Sequence, residues 1–249
     1  MKINILILTS LILGTQAMAQ KPEMEYFEMR TYHAHEGKRP DLIKRFEDHT
    51  LKLFSKNGIG NLAYFIPTDP NDQTLTFILA YPDQDSRDLL WNQFANDPEW
   101  QAAYKASEAN GPLVAKVDQV FMTMAEDLNE VNPEWNPKKK KIFELRTYTL
   151  YPGKLDDIHR RFRDHTQTLF EKQGMENVVY WYTVESSGNQ PKLVYLLAHK
   201  NEKKAKSSFE KFRNDPDWIA ARDASELNGP IVEKVESKYL KALPFSPLQ

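Results

Sequence analysis

With 33 basic and 35 acidic residues among 249, the chain carries a formal charge of −2, too small to mark it for nucleic acid or an anionic membrane surface. Cysteine is absent, which excludes disulfides, thiolate chemistry and cysteine-ligated metals and leaves stability to packing. In chain order, residues 1–19 have the form of an export signal: one lysine, an apolar run over residues 3–13, then Ala17-Met18-Ala19 as a small-residue cleavage site. A membrane-spanning helix needs about 20 apolar residues, and neither this run nor a later one reaches that length. The sequence therefore predicts a secreted or periplasmic protein, free of the membrane once cleaved ahead of Gln20.

The next element, residues 27–32 (FEMRTY), alternates like a strand and returns as FELRTY at residues 143–148. A shift of 116 superposes Phe27 on Phe143 and holds through Ile66 and Tyr182; beyond Ser186-Ser187-Gly188-Asn189 it becomes 118, so that Asn96 falls on Asn214. An insertion confined to a loop is what a duplicated fold tolerates. Within each copy the coarse reading is strand, helix, strand, strand, helix, strand. The first helix carries Leu42, Phe46, His49 or Thr50, and Leu53 at helical spacing and stops at Gly58; the copy repeats it with Ile158, Phe162, His165 and Leu169. Asp97-Pro98 and Asp215-Pro216 cap and start the second helix.

This is the split βαβ, ferredoxin-like order. It predicts an export signal at 1–19, a first domain at 23–125, a linker at 126–141, a second domain at 142–242 and a tail at 243–249. The linker is polar and holds Pro133, Pro137 and four lysines at 138–141. Each unit leaves one sheet face bare, so the expected fold is α+β: two tandem βαββαβ units packed sheet to sheet as an intramolecular α/β barrel around a cavity.

Alternation along the first strand puts Phe27 and Met29 on one side, expected under the helices, and Glu28, Arg30 and Tyr32 on the other, expected to face the cavity with Glu144, Arg146 and Tyr148. Two readings follow. In one, glutamates and arginines form a network that fixes strand register. In the other, Arg30 and Arg146 hold an anionic ligand, and Glu28 or Glu144, its pKa raised by burial, moves a proton. His49 and His165 fit a core histidine bonded to a strand or tyrosine, with a general base or haem ligand as the alternatives. Tyr64 and Tyr180 are expected to line the pocket with Tyr32 and Tyr148, though a one-residue slip reverses their face. His33 and His35 read as a solvated loop, and Trp100 and Trp218 as anchors of helix to sheet. No metal or other cofactor is called for.

The motif FELRTYTLYPGK, the Asp-His-Thr of the following helix and the DPxW start of the next helix together resemble the NIPSNAP family, once per copy. The resemblance implies the dimeric α/β-barrel superfamily, which also holds cofactor-free monooxygenases and haem-binding enzymes, and it transfers no catalytic residues. Animal relatives are mitochondrial; the export signal departs from them. The sequence leaves three functions open. The first is a module binding a small, partly apolar or anionic molecule between its domains. The second is a cofactor-independent oxygenase or isomerase for an aromatic or enolisable substrate, with Glu28 or His49 as base and Arg30 as oxyanion partner. The third is a structural or interaction protein with a filled barrel. The chain would act as a pseudo-twofold monomer or a further homo-oligomer.

Overall fold

The structure, a computed structural model, describes residues 23–129, 141–185 and 188–249. The expected export signal and residues 130–140 of the expected linker lie outside the described residues. The first copy contributes β1 (Tyr26–Ala34), β2 (Gly60–Pro67), β3 (Thr74–Tyr81) and β4 (Val114–Met124); the second contributes β5 (Ile142–Leu150), β6 (Glu176–Thr183), β7 (Leu193–His199) and β8 (Val232–Ala242). They close into one barrel in the order β1-β3-β2-β8-β5-β7-β6-β4, with antiparallel neighbours. The two α+β units thus share a barrel, as the duplication predicts. In this order β1 and β5 stand opposite each other and run the same way, so the pseudo-twofold axis lies along the barrel. Equivalent residues of the two copies therefore meet at the same end.

Outside the barrel, α1 (Arg39–Arg45) passes through a π-helical turn (Phe46–Thr50) into α2 (Leu51–Lys56), and α6 (Leu155–Arg161), Phe162–Thr166 and α7 (Gln167–Lys172) repeat this. Gly58 and Gly174 end both runs at φ of 79° and 77°, where a side chain would be strained. The helices α4 (Pro98–Ser107) and α9 (Pro216–Ser225) begin where the prolines predict, with Asp97 accepting from the Glu99 amide at 2.9 Å and Asp215 from the Asp217 amide at 3.0 Å.

The coarse reading omits α3 (Gln84–Asn96) and α8 (Glu202–Arg213), one further helix per copy. Their signals were present. Asp83 accepts from the Ser86 amide at 2.6 Å and Asn201 from the Lys204 amide at 2.9 Å, as N-caps do. α3 fully buries only Phe94, with Leu90 and Trp91 partly buried beside it, and α8 buries Ala205, Ser208, Phe209 and Phe212.

The π turns correct the histidine reading. The Leu51 amide reaches back to the Phe46 carbonyl, and the Gln167 amide to Phe162, one residue further than in an α-helix. The wider turn carries His49 and His165 off the packed face, where both are exposed, and brings Thr50 and Thr166 onto it, each 1% exposed. Their hydroxyls donate to the Arg45 and Arg161 carbonyls at 3.1 and 3.0 Å. Neither histidine is a core group, and neither faces a cavity as base or haem ligand. His49→Ala should leave urea stability within about 0.5 kcal/mol of the parent, while Thr50→Val should cost about 1 kcal/mol through its lost hydrogen bond.

Between the copies, β2 pairs with β8 at Phe65–Ala242, Ile66–Lys241 and Pro67–Leu240, and β4 pairs with β6 at Met122–Thr183, Thr123–Tyr182 and Met124–Trp181. Each short seam is extended by the segment that leaves it. After β4, the Ala125 amide bonds the Tyr180 carbonyl at 3.0 Å, and Asn129 of α5 (Glu126–Asn129) accepts from the Tyr180 amide at 2.9 Å. After β8, the Leu243 amide bonds the Tyr64 carbonyl and Ser246 accepts from the Tyr64 amide, both at 2.9 Å. Four residues of the expected linker and the expected tail are therefore reciprocal straps, each copy fastening the other.

Candidate functional site

The first strand turns the opposite way from the expectation. Phe27 and Met29 point into the barrel, packed with Phe65, Phe143 and Trp181, whereas Glu28, Arg30 and Tyr32 lie under the helices, as do Glu144, Arg146 and Tyr148. The physical reason is α3. A carboxylate on the outer face would be stranded beneath an apolar helix layer, but α3 brings Arg87 against it. Glu28, fully buried, receives Arg87 Nε at 2.9 Å and Nη2 at 3.0 Å, Gln119 Nε2 at 2.6 Å, the Tyr81 hydroxyl at 3.2 Å, and Arg30 Nη1. Such coordination is what makes a buried carboxylate tolerable. The Arg30 guanidinium lies 4.4 Å over the Trp91 ring.

The second copy solves the same problem with other residues. Ala205 stands where the first copy has Arg87, and His199 where it has Tyr81. Glu144 accepts from Arg146 Nη1 at 2.5 Å and the Ser237 hydroxyl at 2.6 Å, and lies 2.9 Å from His199 Nε2. Arg146 Nε donates to the Tyr195 hydroxyl at 2.9 Å, and its guanidinium stacks 4.4 Å over Phe209 of α8. Sequence reasoning missed Arg87, His199, Gln119 and Ser237; the first sat on an unread helix, the others on strands whose facing depends on the register. The glutamates and arginines are brought together within each copy, but not across the barrel. No shared Glu-Arg-Tyr chamber exists among the described residues.

Burial pushes the Glu144 carboxyl up, but the hydrogen bond from His199, the Arg146 charge and Ser237 outweigh it and hold its pKa below the usual glutamate value. A proton-transfer role for Glu144 needed a raised value, and its partners act in the opposite direction. A depressed folded-state pKa means stability present above the unfolded value of roughly 4.3 and lost as pH falls through the folded value. The stability advantage of the parent over Glu144→Gln should therefore be larger at pH 7 than at pH 3 in urea titrations. A constant advantage would contradict the ionised assignment.

Tyr64 and Tyr180 also face the helices rather than a pocket. Both are at most 1% exposed, stacked on Phe77 at 5.7 Å and Tyr195 at 5.2 Å, with hydroxyls donating to Asn61 and Asn177. Because β2 and β6 bury consecutive residues around each tyrosine, Ala63 to Phe65 and Tyr180 with Trp181, alternation could not say which side was which. Trp100 and Trp218 anchor helix to helix where helix to sheet was expected, packing on Phe94 of α3 at 4.6 Å and Phe212 of α8 at 4.4 Å. Arg45 and Arg161 lie over them at 5.5 and 5.3 Å and bond Glu108 and Glu226 at 3.1 and 2.8 Å, clamping α1 to α4 and α6 to α9. His33 is not simply solvated, since its Nε2 lies 2.6 Å from Asp118 across the β1–β4 pair.

The barrel interior divides into two. At the end where β1 and β5 begin, Phe27, Phe65, Phe143 and Trp181 fill it, each at most 3% exposed. Toward the other end lies a chamber of about 750 Å³ between the copies. Its apolar wall is Met29 and Val120 from the first copy and Leu145 and Val194 from the second. Hydroxyls of Thr31, Thr76, Thr147 and Thr183 interrupt that wall, with the Thr31 and Thr76 oxygens 3.2 Å apart. Charged groups complete the lining: Lys192, Lys238, Glu185 and Glu236, with Lys238 level with Leu145 and Glu236 with Thr147. This is the make-up of a small-molecule site, within the usual range of about 300–1,000 Å³.

Two ferredoxin-like units sharing one closed barrel around such a chamber define the class: this is a dimeric α/β barrel made by one chain. The NIPSNAP family model matches residues 27–128 and 143–247, most of the sequence, and the chain belongs to the NIPSNAP family. It is similar to a NIPSNAP domain protein from Burkholderia xenovorans, with 26% identity over 40% of this chain and 94% of that one, at a TM-score of 0.36. A proposed monooxygenase from Lactobacillus acidophilus is 10% identical over 88% of this chain and 94% of its own, with a TM-score of 0.55. Another from Fusobacterium nucleatum is 12% identical over 88% and 93%, with a TM-score of 0.54. These two likenesses concern the fold. No curated protein matches the sequence.

Proposed function

We propose that this protein binds a small, partly apolar molecule in the chamber between its two domains, and that it does so after export. The observation that carries the reading is the 750 Å³ space with its apolar wall, threonine hydroxyls and charged lining groups. The N-terminal signal-like segment supports export. Glu28 and Arg30, the acid–base and oxyanion pair of the oxygenase reading, are committed to each other and to Arg87 beneath α3, outside the chamber. A fully filled barrel is likewise at odds with the chamber volume.

The test is native mass spectrometry of the protein purified without denaturant, alongside Leu145→Trp. The parent should carry a small molecule that dissociates on activation, and the tryptophan should abolish its copurification while circular dichroism stays unchanged. A ligand retained by a folded Leu145→Trp protein would place binding elsewhere.

A further inference from the structure

The duplication supplies an internal control for the chamber, because every wall residue has a counterpart across the pseudo-twofold axis. The acids that line it, Glu185 and Glu236, belong to the second copy, and Asp69 and Asp118 hold their positions in the first. The lysines follow the same division. Lys238 stands opposite Val120, and Lys192 stands where the first copy has Thr74. Both ammonium groups of the chamber thus come from the second copy, as do both carboxylates, and the first-copy wall carries no charged lining group among the described residues.

Three of the four charged lining groups are already engaged. Lys238 Nζ bonds Asp72 at 2.8 Å, Glu236 accepts from Lys234 at 2.8 Å, and Glu185 accepts from the Thr183 hydroxyl at 2.7 Å. Lys192 differs. It is half-buried just ahead of β7, its backbone amide fixed by the Thr183 hydroxyl at 2.8 Å, and its ammonium has no hydrogen-bond or ion-pair partner among the described residues. An ammonium that lines an apolar space with no acceptor among the described residues can take a ligand oxyanion in a charge-assisted bond.

We propose that Lys192 is the specificity-determining residue of the chamber and selects a monoanion with an apolar body, the anionic group on the second-copy wall and the body against Met29, Val120 and Leu145. Such a ligand is held in one orientation, because the first-copy wall offers no second ammonium. This rests on the binding reading above, and the two are separable by experiment.

The probes are 2-naphthoate and 2-naphthol at pH 7, which share a ring system and differ in charge, titrated by fluorescence against the full-length protein. The parent should bind both, naphthoate more tightly. Lys192→Met and Lys192→Gln should each weaken naphthoate about tenfold and leave naphthol unchanged, while Lys206→Met, which removes an exposed lysine of α8, should change neither. Unchanged naphthoate affinity in both Lys192 variants, or an equal loss in Lys206→Met, would overturn the lysine assignment and leave the chamber reading intact. Failure of the parent to bind either probe, or equal binding by Leu145→Trp, would remove the chamber reading and the inference together.

Discussion

Arg87→Ala should lower stability by about 3 kcal/mol, the scale for stripping one partner from a buried ion pair. Glu28 is fully buried, and Arg87 gives it two of its five hydrogen bonds. Urea unfolding of parent and variant measures the loss. The second copy suggests the rescue: with alanine at the position of Arg87, it holds Glu144 with His199 in place of Tyr81. Arg87→Ala/Tyr81→His should therefore regain part of what Arg87→Ala loses. A single-variant loss below about 1 kcal/mol would show that Arg30, Tyr81 and Gln119 suffice and that Arg87 is dispensable to the fold.

Removal of residues 243–249 should be at least as damaging, at about 4 kcal/mol from burial of Leu243 and an orphaned amide at Tyr64. Leu243 is 6% exposed, Ser246 is 3% exposed, and Phe245 packs edge-on against Tyr64 at 5.7 Å. Because the strap leaves the second copy and fastens the first, its loss should also loosen the β2–β8 seam, which pairs three residues from each strand. Hydrogen exchange at residues 60–67 should rise far more than at residues 176–183, whose own strap is untouched. Equal exchange in the two strands would mean that the straps do not act locally.

The sequence made the architecture legible through its duplication. The Phe27 and Phe143 motifs, the prolines at the starts of α4 and α9, and the glycines at 58 and 174 each state a local conformational need, and each reappears in the structure at the expected place. Site residues were legible as residue types but not as neighbours. Glu28 and Arg30 are unusual enough in a strand to stand out, yet their partner Arg87 lies 59 residues from Glu28 on a helix that the coarse reading omits. The chamber was harder still, since Lys192 and the threonines are ordinary residues until closure brings them to one space.

What the chain alone determined is the repeat, the order of the strands and the pairing of two bare sheet faces, because these depend on short-range periodicity and on the need to cover apolar surface. What only the tertiary structure decided is facing. A strand packed on both sides carries apolar residues at odd and even positions alike, so its alternation does not distinguish barrel from helix layer, and a π turn shifts a helix face by one residue without altering the sequence pattern. Which side a charge takes then depends on where its counter-charge is delivered, and that is a long-range property of the assembled fold.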